Sequence, residues 1–259
     1  MPRQLLIYDR VVPIATDTHA DVSVEVTRNM GFAREINSAP LLGVEFLAAA
    51  MDHPIVFSRS GADLFPAVLL GLRPDHNEHV ALDGTWTGGY LPAFLRRYPF
   101  VFAPAEGEAE AGDAEEGKER NFTLCLDEAS PAVNREGRGE RLFDPEGGRT
   151  AFLAERLAFA SEFHNQFHTT RAFCRRLDAL GLLEPSQARY RRRDGAEGSM
   201  GGFSVINRAR LKQIAPDSLP ALAKSGFLEM CYAHLHSLQH ILKLGEAARY
   251  GADAGVRAV

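Results

Sequence analysis

The chain has 259 residues, of which 45% are hydrophobic and 24% are charged, and its formal net charge is −5. This balance is typical of a globular protein and excludes disorder over the whole chain. It also disfavours a nucleic-acid partner, because proteins that contact many phosphates usually carry a basic surplus. A chain of this length can form one large hydrophobic core, and we predict a single domain over residues 1–259.

The first half of the sequence is predicted to be mainly β structure. Val22, Val24 and Val26 alternate with polar residues, which is the two-residue period of a half-buried strand. Short apolar segments with β character follow at 53–58, 66–72, 79–82 and 121–127. The first three are closely spaced and separated by turn residues, which predicts an antiparallel meander. Short helices are predicted at 39–51 and 90–98.

The second half is predicted to be mainly helical. Apolar residues recur at helical spacing between 150 and 180, and Gly181 is well placed to cap the end of that helix. A short strand at 203–206 then leads into further helices, the last from about 226 to 244. Together the two halves predict an α+β fold, with a mainly antiparallel sheet in the first half and a helical C-terminal half packed on it. Helix is predicted to exceed strand.

Two polar segments are predicted to be flexible. Residues 104–120 are strongly acidic and contain no large apolar side chain, so burial cannot offset the entropy lost on ordering them. Residues 186–200 contain several arginines and are predicted to form a second flexible loop.

The cysteines and the N-terminus indicate the compartment. Cys125, Cys174 and Cys231 are far apart and lie in apolar surroundings, which argues against a disulfide framework and predicts three core residues. No signal-peptide core and no bilayer-length apolar run is evident. We therefore predict a cytoplasmic protein without a membrane-inserted segment.

Two pairs of histidines could in principle bind a metal from one helix face. His164 and His168 are four residues apart, as are His236 and His240. No third ligand can be identified, so we predict no metal, and we interpret these four side chains as boundary or surface residues. His234 instead lies on the apolar face of the last helix and is predicted to be a core histidine.

The loop at 134–144 is a candidate binding site. Gly137 and Gly139 flank Arg138, and Glu140 and Arg141 follow. A guanidinium held between glycines can bind a carboxylate or phosphate through two hydrogen bonds. The alternative is a structural network of Arg–Glu pairs that ties the loop to the core.

The segment at 86–100 adds further candidate ligand-binding residues. Trp86, Arg96 and Arg97 would form part of a binding site if they share a concave pocket with the loop at 134–144. The alternative is that the aromatic residues of this segment belong to the core and the arginines cover their edges.

Several segments occur in an order that resembles the SapC family. They are YDRVVPI with His19, GFAREINSAPL, HPIVF, GYLPAFLRRYPFVF, FTLCLDE, NREGRGERLFD, HTTRAFCRRL, GFSVINRARLK and YAHLHSL. The family takes its name from a protein encoded with bacterial surface-layer genes, and relatives are associated with outer-membrane nutrient uptake. The resemblance therefore implies a bacterial, envelope-related context, without a catalytic residue set.

Two functions are compatible with these features. The first is an intracellular accessory or ligand-binding protein without catalytic activity, linked by resemblance to surface-layer or uptake systems. Its partner would be an anionic small molecule or peptide, or a protein of the envelope or uptake machinery. The alternative is an enzyme of unknown reaction that acts on an anionic small molecule or peptide, with or without a metal. No cofactor is predicted.

Overall fold

The computed structural model describes residues 7–61, 63–104, 122–191, 195 and 197–250. The predicted acidic insertion at 104–120 lies outside these residues apart from Pro104. The helices are α1 (Thr16–His19), α2 (Phe46–Ala49), α3 (Ala93–Arg96), α4 (Ala151–Ala179), α5 (Arg208–Lys212), α6 (Leu219–Lys224), α7 (Phe227–Ser237) and α8 (His240–Tyr250). Short 3-10 helices occupy Gly31–Ala33, Gly43–Glu45 and Pro216–Ser218. The strands are β1 (Val11–Pro13), β2 (Ser23–Val24), β3 (Ser38–Pro40), β4 (Ile55–Ser60), β5 (Asp63–Leu69), β6 (Phe100–Pro104), β7 (Phe122–Asp127), β8 (Val133–Asn134), β9 (Glu140–Arg141), β10 (Leu183–Arg191) and β11 (Glu197–Ile206).

The chain divides into two compact units. Unit 1 comprises Met1–Thr27 and Arg97–Asn165, and unit 2 comprises Arg28–Arg96 and Gln166–Val259. Helix α4 contributes residues to both. The single domain over residues 1–259 therefore stays a prediction.

The described part of unit 1 contains two small antiparallel sheets, with strand orders β1-β7-β6 and β8-β2-β9. Val22 and Val24 are buried together with Leu126, Leu142 and Leu153. The predicted alternation of a half-buried strand was wrong, because Ser23 between them is also buried and Val26 is 72% exposed. That strand is only two residues long, because β8 and β9 pair with Ser23 and Val24 alone.

The described part of unit 2 contains one antiparallel sheet, with strand order β10-β11-β4-β5-β3. Val56, Leu69 and Phe203 form its core together with Tyr190 and Leu244, which lies on α8. Helices α7 and α8 contact this sheet. Helix α4 is followed by Gly181, whose φ of 61° lies in the left-handed region. The Gly181 N–H donates to Asp178 O at 2.9 Å and the Leu182 N–H to Leu177 O at 3.1 Å, which is a Schellman cap.

The α+β prediction is confirmed. Antiparallel sheets occupy the first half and most helix lies in the C-terminal half, with 36% helix and 28% strand. The long helix and its glycine cap were predicted correctly.

Four other local predictions were wrong. The predicted loop at 186–200 is mostly the hairpin of β10 and β11, in which Ala188 and Tyr190 are buried between exposed residues. The segment at 79–82 forms only an isolated bridge, between Val80 and Trp86. The predicted helix at 39–51 begins with strand β3, and its helical part is shorter. The last helix is two helices, because α7 ends at Ser237 and α8 begins at His240.

Candidate functional site

Three rings in unit 2 form an aromatic cluster, which we call the Trp86 cluster: His53, His79 and Trp86. The ring centres of His53 and His79 are 4.7 Å apart, with the rings almost perpendicular at 82°. The Trp86 ring centre lies 6.0 Å from that of His53 and 5.5 Å from that of His79. Each ring therefore contacts the other two.

Two separate stretches of chain position these rings. His53 ends the turn after α2, where its N–H donates to Ala49 O at 2.9 Å, and β4 begins two residues later. His79 and Trp86 lie on opposite arms of a small hairpin. The Thr87 N–H closes that hairpin by donating to His79 O at 2.8 Å.

A two-glycine segment, Gly88–Gly89, lies against the Trp86 cluster. A Cβ on Gly88 would lie 3.0 Å from the Trp86 ring and 3.1 Å from His79 Nδ1, so only glycine packs there without a shift of its neighbours. A Cβ on Gly89 would collide with the Asp52 carboxylate. The backbone of this segment therefore approaches the rings more closely than a larger residue would allow.

Tyr90 fixes the end of that segment through three hydrogen bonds. Its N–H donates to Asp52 Oδ2 at 2.8 Å, and its carbonyl oxygen lies 2.7 Å from His53 Nε2. Its hydroxyl donates to Glu45 Oε1 at 2.7 Å. Burial, with a contribution from the neighbouring Glu45 carboxylate, raises the pKa of Tyr90, so the hydroxyl stays protonated and acts as a donor.

The Glu45 carboxylate is buried and is the anchor for this region. Besides the Tyr90 hydroxyl, its Oε1 accepts from the Ala93 N–H at 2.7 Å, and its Oε2 accepts from the Leu42 N–H at 2.8 Å. Three donors thus replace the water that a carboxylate loses on burial.

Three ring nitrogens of the Trp86 cluster are buried and lack a partner among the described residues. These atoms are His53 Nδ1, His79 Nε2 and Trp86 Nε1. A carbonyl oxygen can only accept, so His53 Nε2 carries the proton that it donates to Tyr90 O, and His53 Nδ1 is left as an acceptor. The indole nitrogen of Trp86 can only donate. The cluster therefore presents at least one donor and one acceptor.

The histidines around this cluster are held uncharged. Burial lowers the pKa of His53, and it lowers the pKa of His79 to about 4, against a smaller opposing effect of the Asp52 carboxylate on both. Burial also lowers the pKa of His240, whose Nε2 lies 3.1 Å from Ala50 O. At neutral pH the cluster offers neutral hydrogen-bonding groups, with Asp52 as the nearby charge.

Among the predicted ligand-binding residues, Trp86 lies in this cluster and Arg96 lies beside Tyr90. The exposed Arg96 guanidinium is 6.0 Å from the Tyr90 ring centre, and its Nη2 lies 3.5 Å from the Tyr90 hydroxyl. Arg97 belongs to unit 1 and is buried, with its guanidinium 4.5 Å from the Phe163 ring centre. Arg138, Glu140 and Arg141 also belong to unit 1.

The predicted loop at 134–144 is tied to neighbouring strands and loops of unit 1. Arg138 Nε donates to Glu136 Oε2 at 2.9 Å, and Arg138 Nη1 donates to Glu25 Oε2 at 3.3 Å. Arg141 Nη2 donates to Ala20 O at 3.1 Å. These contacts fit the structural Arg–Glu network that the sequence left open as an alternative. The ligand-binding role of Arg138, Glu140 and Arg141 stays a prediction.

The glycines of this loop differ in what they permit. Gly137 and Gly139 have φ of 75° and 85°, which favours glycine at both positions. A Cβ on Gly139 would also collide with the backbone of Val24, whereas a Cβ on Gly137 would meet nothing within 4 Å. The close approach of this loop to β2 therefore depends on Gly139.

The other histidines were predicted with one error. His234 is fully buried and its Nε2 accepts from the Ile206 N–H at 3.0 Å, which confirms a core histidine. His164 is half-buried, and His168 and His236 are exposed, as predicted. His240 was predicted at the surface but is buried, because the helix breaks after Ser237 and the predicted face does not continue across the break.

Thiol chemistry and metal binding depend on other residues of the chain. Cys125, Cys174 and Cys231 are buried as predicted, and burial raises the pKa of the last two to about 12. Within the described residues, no group of three or more His, Cys, Asp or Glu side chains is arranged to hold a metal ion.

Sequence reasoning identified Trp86 but missed Asp52, His53 and His79. His53 and His79 lie at the starts of apolar segments that were interpreted as strands. A usable signal was the pair of glycines before Tyr90, because adjacent glycines often allow a backbone to approach other groups closely.

No helix in the described part of the chain combines the length and the apolar character needed to cross a bilayer. Neither a curated protein nor a solved structure shows significant similarity to the chain. A family profile, that of SapC, matches residues 14–244. This match extends from just before α1 into α8 and includes both the Trp86 cluster and the loop at 134–144. The chain therefore belongs to the SapC family.

Proposed function

We propose that this SapC-family protein is an intracellular accessory protein that binds a ligand at the Trp86 cluster and has no catalytic role. Its connection with surface-layer or outer-membrane uptake systems is part of the same proposal and rests on the family resemblance. The ligand would be a small molecule or a short segment of a protein partner.

The observation that carries the proposal is the set of buried ring nitrogens without a partner in the Trp86 cluster. Buried polar groups in proteins are nearly always hydrogen-bonded, because an unpaired one loses its water without compensation. A molecule bound at the three touching rings would pair such atoms. The rings are also held firmly, since Tyr90 links their covering segment to Asp52, His53 and Glu45.

The test uses the protein purified without denaturation. Native mass spectrometry of the full chain should detect a retained small molecule. Trp86 is the only tryptophan, so its emission should change when the ligand is removed and when it is added back. Trp86→Phe should lose the retained mass, whereas His236→Gln, at an exposed position on α7, should keep it. Two negative results together would contradict the proposal. The wild-type protein would retain no small molecule, and its Trp86 emission would not change when a small-molecule extract of bacterial cells is added.

The second candidate function is that of an enzyme of unknown reaction, or of a binding protein, that acts on an anionic small molecule or peptide. Its site would be formed by Arg138, Glu140 and Arg141. The observation in its favour is that the Arg138 side chain is 54% exposed while two carboxylates hold its guanidinium in place. A guanidinium held in this way still has free edges toward solvent for a carboxylate or phosphate. An Arg138 variant tests this candidate, and it is the last prediction in the Discussion.

A further inference from the structure

We infer that the Trp86 cluster binds an uncharged group that both donates and accepts hydrogen bonds, namely a hydroxyl or a carboxamide. This inference rests on the proposed binding function and specifies the chemistry of its ligand. The group would accept from Trp86 Nε1 and donate to His53 Nδ1.

The donor side of the site comes from Trp86. Its indole N–H is buried without a partner among the described residues, and it has no lone pair with which to accept. Any ligand group that satisfies it must carry an acceptor. A bare ammonium or amidinium group has none and would leave the indole unpaired.

The acceptor side comes from His53, and Tyr90 determines its form. Because His53 Nε2 donates to Tyr90 O at 2.7 Å, the neutral ring carries its only proton there and His53 Nδ1 has a lone pair. A carboxylate has no proton to donate to that lone pair. A hydroxyl or a carboxamide can satisfy both the indole and the imidazole.

The charges around the Trp86 cluster also favour an uncharged ligand group. The Asp52 carboxylate lies beside the cluster, where it accepts from the Tyr90 N–H, and Glu45 is buried on the other side of Tyr90. Of the histidines near Asp52, His53, His79 and His240 are all kept neutral by burial. Arg96 lies over the Tyr90 ring at the surface, and Arg34 donates to the Ala81 and Leu82 carbonyl oxygens of the hairpin. An anion at the rings would thus be repelled by the Asp52 carboxylate, whereas an uncharged group would not.

Access to these atoms depends on the Gly88–Gly89 segment. Its backbone packs on the Trp86 ring and His79, and Gly89 itself is exposed. Two adjacent glycines can change backbone angles with little steric cost, so this segment is where the cluster would open.

The test compares three probes of nearly identical shape: acetamide, acetate and acetamidinium. Acetamide both donates and accepts, acetate only accepts and acetamidinium only donates. Each is titrated into the full chain labelled with nitrogen-15, and the single indole N–H resonance of Trp86 is followed. Acetamide should shift this resonance saturably, with an affinity at least about tenfold above that of either charged analogue, because each analogue leaves one buried group unpaired.

A matched pair of variants distinguishes acetamide binding at the Trp86 cluster from binding elsewhere on the protein. His53→Phe removes the acceptor, keeps a ring in place and should abolish the acetamide response. His236→Phe makes the same change at an exposed position on α7 and should leave the response intact. If His53→Phe does not fold, the three-probe comparison on the wild type still decides the matter.

Two results would overturn the inference. One is a stronger response to acetate or acetamidinium than to acetamide. The other is no response to any probe up to its solubility limit, in which case ordered water accounts for the ring nitrogens. The proposed function fails separately: a retained ligand without a hydroxyl or carboxamide would leave binding intact and exclude only the ligand class. The absence of both a retained ligand and a probe response would remove both proposals.

Discussion

The loop at 134–144 and the Trp86 cluster use polar groups in opposite ways. The loop is rich in charge and largely exposed, yet Arg138 and Arg141 each donate to groups within unit 1. The Trp86 cluster contains no charged side chain and is partly buried, and three of its ring nitrogens are buried without a partner among the described residues. The two regions therefore differ in which polar atoms the fold leaves unpaired, although the loop carries more charge.

The largest effect is expected at the buried carboxylate that anchors the cluster. Glu45→Ala removes the acceptor of the Tyr90 hydroxyl and of the Leu42 and Ala93 N–H groups, and leaves these donors without it. We expect the free energy of unfolding to fall by about 4 kcal/mol, since breaking a buried charged network leaves unpaired groups behind. Chemical denaturation measures this loss. Glu140→Ala, at an exposed position of the loop, should change stability by less than about 0.5 kcal/mol. Equal losses of unfolding free energy in Glu45→Ala and Glu140→Ala would contradict the stabilising role of the buried Glu45 carboxylate.

The second effect distinguishes the two glycines that flank Arg138. Gly137 and Gly139 share a left-handed backbone, but only a Cβ on Gly139 collides with the Val24 backbone. We expect Gly139→Ala to lower the free energy of unfolding by about 3 kcal/mol and Gly137→Ala by about 1 kcal/mol. Thermal unfolding of the two variants side by side is sufficient. A larger loss at Gly137 would mean that the loop is not held against β2 as described.

The third effect concerns pH. Burial lowers the pKa of His234 from 6.5 to about 3, against a smaller opposing effect of a backbone hydrogen bond to Ile55. Nε2 accepts from the Ile206 N–H and must stay unprotonated to do so. The unfolded chain binds this proton below pH 6.5 and the folded chain does not, so stability is complete above that pH and falls as the pH decreases. Between pH 8 and pH 5 the loss from His234 should be about 2 kcal/mol.

Matched variants isolate this contribution from those of His53, His79 and His240. His234→Gln keeps an acceptor for the Ile206 N–H but cannot titrate, so the difference in unfolding free energy between pH 8 and pH 5 should shrink by about 2 kcal/mol. His236→Gln removes an exposed histidine two residues away and should leave that difference nearly unchanged. An unaltered pH dependence in His234→Gln would show that this ring is not held neutral.

The parts of the fold that sequence predicted correctly are those specified by neighbouring residues. Helix α4 follows from an apolar stripe, and its end follows from Gly181. The hairpin of β10 and β11 was missed because Ala188 and Tyr190 alternate with arginines, and the charges concealed the two-residue period. His240 was misplaced because a helical projection was continued across the break after Ser237.

The candidate site was harder to predict because distant segments build it. His53 lies beside Trp86 only after the chain has folded back, and no local spacing links the two positions. Trp86 was a candidate because the segment at 86–100 combines aromatic residues with Arg96 and Arg97. The tautomer of His53 depends on a backbone carbonyl, which a sequence pattern does not record.

The smallest effect is expected at Arg138, and it decides between the two roles proposed for the loop. The partners of this guanidinium, Glu25 and Glu136, are 48% and 73% exposed, so both pairs are screened by water. We expect Arg138→Lys to lower the free energy of unfolding by less than about 1 kcal/mol. If the loop recognises an anionic group, the same variant should bind inorganic phosphate at least about tenfold more weakly, because lysine cannot present the planar fork of arginine. Isothermal calorimetry and a melting curve on this variant separate anion recognition from a purely structural role. Arg10→Lys is the control, because Arg10 is also exposed and ion-paired in unit 1. A marked drop in melting temperature, from a wild type that binds no phosphate, would leave the loop as a structural clamp and the Trp86 cluster as the remaining candidate site.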